Sequence, residues 1–191
     1  MKKRYFVALM IILILSFSFI VYQLIKFFDY KSSISSLEKY MLIDNETIIK
    51  SFEYGNKNYV ISRYYDNSSS WSNLNLLLKN DDIYYVLQNI KKCDTVDDGS
   101  NLYVRGNVIY IHCVGKEGFI DKYSINDFDI KKETLGFDFK NTPNISQLHI
   151  GIDNVDDKYI YLSSPAKVNN TIKDEPNVKC SFENKKCDYV K

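Results

Sequence analysis

The sequence predicts a mainly β protein held behind one amino-terminal transmembrane helix, and three observations lead to that class. An apolar run opens the chain, apolar residues then alternate with period two beyond Asn45, and Gly and Pro are scarce at 7 and 3 of 191 residues. Tyr, Phe, Ile and Val spread through a chain with so few breakers favour pleated strands over disorder.

Lys2, Lys3 and Arg4 precede a run from Tyr5 through Ile25 that is broken only by Ser16, Ser18 and Gln23. At a rise of about 1.5 Å per residue, about 20 such residues cross a hydrocarbon layer of about 30 Å. Basic residues hold their end in the cytoplasm, so everything after Lys26 is expected outside it. A cleaved signal peptide is the alternative, with Ser16 and Ser18 as small residues near the cut. Against it, Phe19, Ile20, Val21, Tyr22, Leu24 and Ile25 carry the run beyond the apolar core of about 7–15 residues that such peptides have. The expectation is therefore an anchor over 1–28 that meets the lipid bilayer through residues 5–25. Phe27, Phe28 and Tyr30, beside Lys26 and Lys31, have the character of an interfacial belt.

A stalk is expected over 29–45. Ser35 and Glu38 have capping-box spacing, and Leu37, Tyr40 and Met41 follow at helical spacing, which predicts a short helix packed as an amphipathic lid. The remaining residues, 46–191, are of ordinary size for one extracytoplasmic domain with its own core. Formal net charge is +1 and includes Lys2, Lys3 and Arg4, so the outer part is slightly acidic. With no cluster of Lys and Arg, it is not expected to bind nucleic acid.

Four cysteines, Cys93, Cys113, Cys180 and Cys187, all lie on the outer side. An even count in an oxidising compartment favours disulfides. Cys180 and Cys187 flank a turn at Glu183 and Asn184, and opposed hairpin residues come within about 4.5–5.5 Å at Cα, inside disulfide reach. That pairing leaves Cys93 with Cys113. A metal site from Cys93, His112, Cys113 and His149 is the alternative. It has neither a C-x-x-C nor a close His pair, so neither metal nor cofactor is expected.

Three stretches beyond Asn45 resemble one another: KSFEYGNKNYVISRYY from Lys50, SNLYVRGNVIYIHC from Ser100 and QLHIGIDNVDDKYIYLSS from Gln147. Each reads as strand, turn rich in Gly, Asn or Asp, and strand. A second strand pair follows each: DIYYVLQNIKKC from Asp82, then GFIDKYSI with DIKKETLGF, then VKCSF with CDYV. Recurrence at about 50 residues and a hairpin-hairpin layout predict three propeller-blade-like repeats. Three are too few for an ordinary closed ring. The outcomes are an open stack of small sheets, a β-sandwich, or a shape closed with other copies.

Between the first two strand pairs, Asp66 to Ser72 is expected to be a surface loop, with Leu74, Leu76, Leu77 and Leu78 resuming as strand or short helix. The loop holds Trp71, the only tryptophan, a candidate stacking platform for a sugar or an anchor for a protein, although a lone Trp also serves to cover a core edge. Tyr159 and Tyr161 share one strand face while Ile160 and Leu162 share the other. An exposed row of such rings is a candidate recognition surface; a covered one is ordinary sheet packing.

Catalytic patterns are missing. There is no G-x-S-x-G, P-loop, H-E-x-x-H or dinucleotide fingerprint. His112 and Cys113 are neighbours in a predicted strand and point to opposite faces. Asp94, Asp97, Asp98 and Gly99 start like a calcium loop, but Val96 and Arg105 occupy positions where ligands belong. Asp153, Asn154, Asp156 and Asp157 suit a turn whose amides they cap. The expectation is a single-pass membrane protein whose outer domain binds or scaffolds a protein or glycan of the cell envelope, without catalysis. Two alternatives stand beside it: an anchored hydrolase working through carboxylates near Asp97, Asp98, Asp156 and Asp157, and an immunity-like or regulatory partner of another membrane protein.

Overall fold

A computed structural model describes residues 2–65, 72–94, 100–114, 119–142, 150–163 and 178–190, with side chains from Met10 onward. Two compact units emerge, Met1–Glu38 and Lys39–Lys191.

The first unit is one helix, α1 (Lys2–Ser35). Its segment Met10–Ser35 is long and apolar enough to cross a membrane, and every side chain from Met10 to Asp29 is exposed. The expected second helix does not start at Ser35, which is instead the last residue of α1 and bonds the Ser32 carbonyl at 2.7 Å. No Gly or Pro interrupts 29–35, and extending an existing helix needs no new nucleus. The stalk assignment is corrected further on: Lys39 and Tyr40 form a strand, β1 (Lys39–Tyr40), in the second unit.

The second unit holds three antiparallel sheets. The first combines β1 with β2 (Thr47–Tyr54), β3 (Lys57–Tyr65), β4 (Ser72–Asn80) and β5 (Ile83–Ile90), in the order β1-β5-β4-β3-β2. The second is β6 (Leu102–Arg105), β7 (Val108–Ile111), β8 (Phe119–Asn126) and β9 (Asp129–Gly136), in that order. The third is β10 (Gly151–Val155), β11 (Tyr159–Ser163), β12 (Val178–Ser181) and β13 (Cys187–Tyr189), again in chain order. Each sheet therefore contains a four-strand meander, and none of the sheets is closed. Leu74 to Leu78 are strand, and Ser72, expected in the loop, opens β4 and is fully buried. Residues 66–71 and 143–149, with Trp71 and His149, lie outside the described residues, as do Asp97 and Asp98.

Local chemistry sets these hairpins. Between β2 and β3, Gly55 and Asn56 have φ of 58° and 60°, the left-handed pair that a two-residue hairpin loop demands and that these residue types tolerate. In β4, hydrophobic Leu74, Leu76 and Leu78 face the core with Tyr59 and Ile61 of β3, all at most 1 % exposed. Both faces of β4 are buried from Ser72 to Leu78, and Leu76, Leu77 and Leu78 form a short continuous apolar run there.

The core between the second and third sheets contains Tyr110, Ile120, Leu135, Ile152, Ile160, Leu162 and Val178. Ile109, Ile111, Tyr123 and Ile125 on the other face of the second sheet are buried as well. On that side Lys57 of the first sheet pairs with Asp127 at 2.6 Å, and the Tyr59 hydroxyl donates to the Asp127 carbonyl at 3.3 Å. Both cysteine pairs stand at bonding distance, Cys93 with Cys113 at 1.98 Å and Cys180 with Cys187 at 1.99 Å. The first ties the end of the first sheet to the end of β7. The second spans β12 and β13 on the core side, where the two cysteines are directly opposed.

Candidate functional site

Three surfaces of the β unit carry concentrated chemistry. The first is the outward face of the third sheet. Ile160 and Leu162 are fully buried while Tyr159 and Tyr161 are half-buried on the opposite face, as period-two geometry requires. Their rings meet edge to face at 6.5 Å. Lys179 lies 5.4 Å from the centre of the Tyr159 ring, so a cation already occupies one face of that aromatic pair. The Tyr161 hydroxyl donates to Asp156 at 3.0 Å.

Asp156 and Asp157 do not form a catalytic couple here. One Asp156 oxygen accepts the Lys158 and Tyr159 amides, both at 2.7 Å, closing the β10–β11 turn. Those two amides, with smaller help from the Tyr161 hydroxyl and Arg105, hold its carboxyl below the usual 3.8, and the same contact raises the Tyr161 phenol. Asp157 points away to Arg105 at 2.8 Å. His112 is fully buried, with Nδ1 2.9 Å from the Phe119 carbonyl, and its neighbour Cys113 is in a disulfide, so no thiol and base pair exists there. Among the described residues no cluster of His, Cys, Asp and Glu suits a metal ion.

The second surface is a cleft of about 540 Å³ at the hairpin end of the first sheet, lined by Ser51, Phe52, Glu53, Asn58, Lys79 and Asp81 together with Tyr59 and Val60. Phe52 stacks on Tyr59 at 5.3 Å, giving it an aromatic wall. The volume falls within the range of small-ligand sites, about 300–1,000 Å³. Two carboxylates, Glu53 and Asp81, and the Lys79 ammonium line it.

The third is a polar cluster on the other face of the first sheet. Glu46 accepts from the Tyr40 hydroxyl at 2.8 Å, the Ile43 amide at 3.2 Å and the Asn75 amide at 3.1 Å, and from the Ser62 hydroxyl. Asn75 also donates to Tyr40 at 2.9 Å, and Asn89 donates to Tyr64 and to Asn75, each at 2.8 Å. Burial, then the bond to Glu46, pushes the Tyr40 phenol far up, so it stays a neutral donor. This network fastens the segment that follows α1 onto the sheet. Sequence reasoning missed it. The available signal was Asn73 and Asn75 alternating with Leu74 and Leu76, polar groups at strand positions that period two sends to a single face.

Compared with protein families, with curated proteins and with solved structures, the chain matches none. What fold and site define together is a mainly β protein of three antiparallel sheets with one apolar amino-terminal helix.

Proposed function

We propose that the chain is a single-pass membrane protein of the cell envelope, with its amino terminus in the cytoplasm and a disulfide-bonded β domain outside that binds or scaffolds a protein or glycan. One observation carries this reading: an exposed apolar helix precedes a domain whose four cysteines all stand in disulfide pairs. Buried disulfides of this kind persist in oxidising compartments, and the exposed apolar length suits a hydrocarbon layer. The three four-strand meanders support the further reading of three blade-like repeats, open at both ends. The cleft beside Phe52 and the outward face at Tyr159 and Tyr161 are the two recognition surfaces it offers.

The test is topological and then functional. A membrane-impermeant thiol reagent, applied to intact cells after reduction, should label Cys93, Cys113, Cys180 and Cys187 once the domain is denatured. Absence of labelling in cells whose lysate labels fully would reverse the orientation. Photo-crosslinkers at Asn58 and Tyr161 then report which surface meets the envelope component. Adducts from neither position would remove both surfaces as binding sites.

A second reading, an anchored hydrolase, draws on Glu53 and Asp81 lining one cleft. It requires Glu53→Gln and Asp81→Asn each to abolish turnover of an envelope glycan while leaving thermal stability unchanged. Retention of turnover in either variant would dismiss it.

A further inference from the structure

Ser16 leaves a notch in the apolar surface of α1, a groove of about 470 Å³ lined by Leu13, Ile14, Ser16, Phe17, Ser18 and Ile20. The Ser16 hydroxyl does not reach out of it, because it donates back to the Ile12 carbonyl at 2.7 Å. Seven residues later stands Gln23, exposed and without a hydrogen bond among the described residues. Seven residues turn an α-helix through about 700°, so Gln23 stands above Ser16 on one face. Leu13, Ile20 and Phe27 interleave with them at the alternating three- and four-residue steps of a left-handed helix pair.

We infer that this face is the seam along which two copies of α1 pair in the membrane, with Gln23 hydrogen-bonded to Gln23 of the second copy. The inference rests on the anchor reading above. A second copy inserts with the same orientation, so its helix is parallel and equivalent residues meet at one depth. The glutamine amide carries both donors and an acceptor and is self-complementary across a two-fold axis. It lies within the apolar run, one helical turn before the Phe27 belt, and side-chain amides join helices in that setting. The notch at Ser16 lets the two backbones approach, as small residues do at such seams. A different helix would need an amide at the same depth. A second copy supplies one by construction.

The test uses the full chain, labelled for energy transfer at its carboxyl end and reconstituted into phosphatidylcholine vesicles that are then diluted with lipid. Alkaline washing of the vesicles first reports whether the chain is retained. The wild type should show transfer that falls on dilution. Gln23→Leu should move the midpoint roughly three- to thirtyfold toward higher protein density, the span expected for one interhelical hydrogen bond. Gln23→Asn should keep most of the association. Gln23→Leu combined with Ile25→Gln moves the amide to the opposite face and should not restore it. Ser16→Phe, which fills the notch, should also weaken pairing. A Gln23→Leu curve that overlays the wild type, or a wild type monomeric at every dilution, overturns the pairing while leaving the anchor intact. Loss of the chain from washed vesicles overturns the anchor and the pairing with it.

Discussion

Glu46 meets four donors with two oxygens, and half of that capacity disappears when one oxygen becomes an NH2 group. Glu46→Gln should therefore destabilise the β unit by about 1–3 kcal/mol, the usual cost of stranding partly buried donors, as read by chemical denaturation. Tyr40→Phe removes one donor to that carboxylate and one acceptor from Asn75, and the double variant should cost less than the sum because both act on one network. Two titrations follow from the same scale. The folded state raises the Tyr40 phenol above its ordinary 10.0, so this contribution to stability is whole below pH 10 and is lost as pH climbs beyond it. Tyr40→Phe should flatten that alkaline decline in a melting series. For Asp156 the sign is opposite: its carboxyl is held below the ordinary 3.8, so stability present above that value is lost as pH falls through the lower folded value. Asp156→Asn keeps an oxygen for the Lys158 and Tyr159 amides and should shrink the acid decline in melting temperature between pH 5 and pH 2.

The strand β11 shows how one element divides its work between two faces. Ile160 is fully buried among Val178, Ile152 and Leu162, whereas Tyr161 is half-buried on the outer side. Ile160→Ala should cost about 2–5 kcal/mol, for lost transfer energy and the cavity left behind. Tyr161→Phe removes only a hydroxyl bonded to a surface carboxylate and should cost far less. Parallel denaturation curves for the two variants would reverse this assignment of faces. The same alternation explains why β11 was legible from its letters: polar and apolar residues trade places at every step. β4 was less legible, because Leu76, Leu77 and Leu78 run together and both faces are buried, which erases the period that separates strand from helix. The stalk was misjudged for a different reason. Capping-box residues signal a helix start only when the preceding residues are not already helical, and α1 had not ended.

Across the whole β unit, the two disulfides constrain different things. Cys93–Cys113 closes a loop with a sequence separation of 20 and joins the first sheet to the second, whereas Cys180–Cys187 has a separation of 7 and staples one hairpin. On chain-entropy grounds, removing the first with Cys93→Ser/Cys113→Ser should cost about 3 kcal/mol and removing the second with Cys180→Ser/Cys187→Ser about 2 kcal/mol. Equilibrium unfolding of both double variants checks the order. The long-range bond should also change cooperativity: without it, the first sheet is held to the rest chiefly by noncovalent contacts such as Lys57 with Asp127, and its unfolding should separate from that of the other sheets.

Local patterning in the amino-acid sequence determined the apolar helix, the hairpins and the Cys180 and Cys187 opposition, because each depends on residues near one another along the chain. Composition also set the absence of the common catalytic motifs. Tertiary structure alone decided which strands share a sheet and that β7, at the middle of the second sheet, is buried on both faces. It alone brings Glu53 and Asp81 to one cleft and gathers Tyr40, Glu46, Ser62 and Asn75 into one network. Those groups lie up to tens of residues apart, and no local period records a meeting that depends on which distant strands pair within one sheet. The acidic turn at Asp156 and Asp157 was legible in part: capping of the nearby Lys158 and Tyr159 amides by Asp156 follows from turn chemistry, whereas the pairing of Asp157 with the distant Arg105 appears only once the chain is folded.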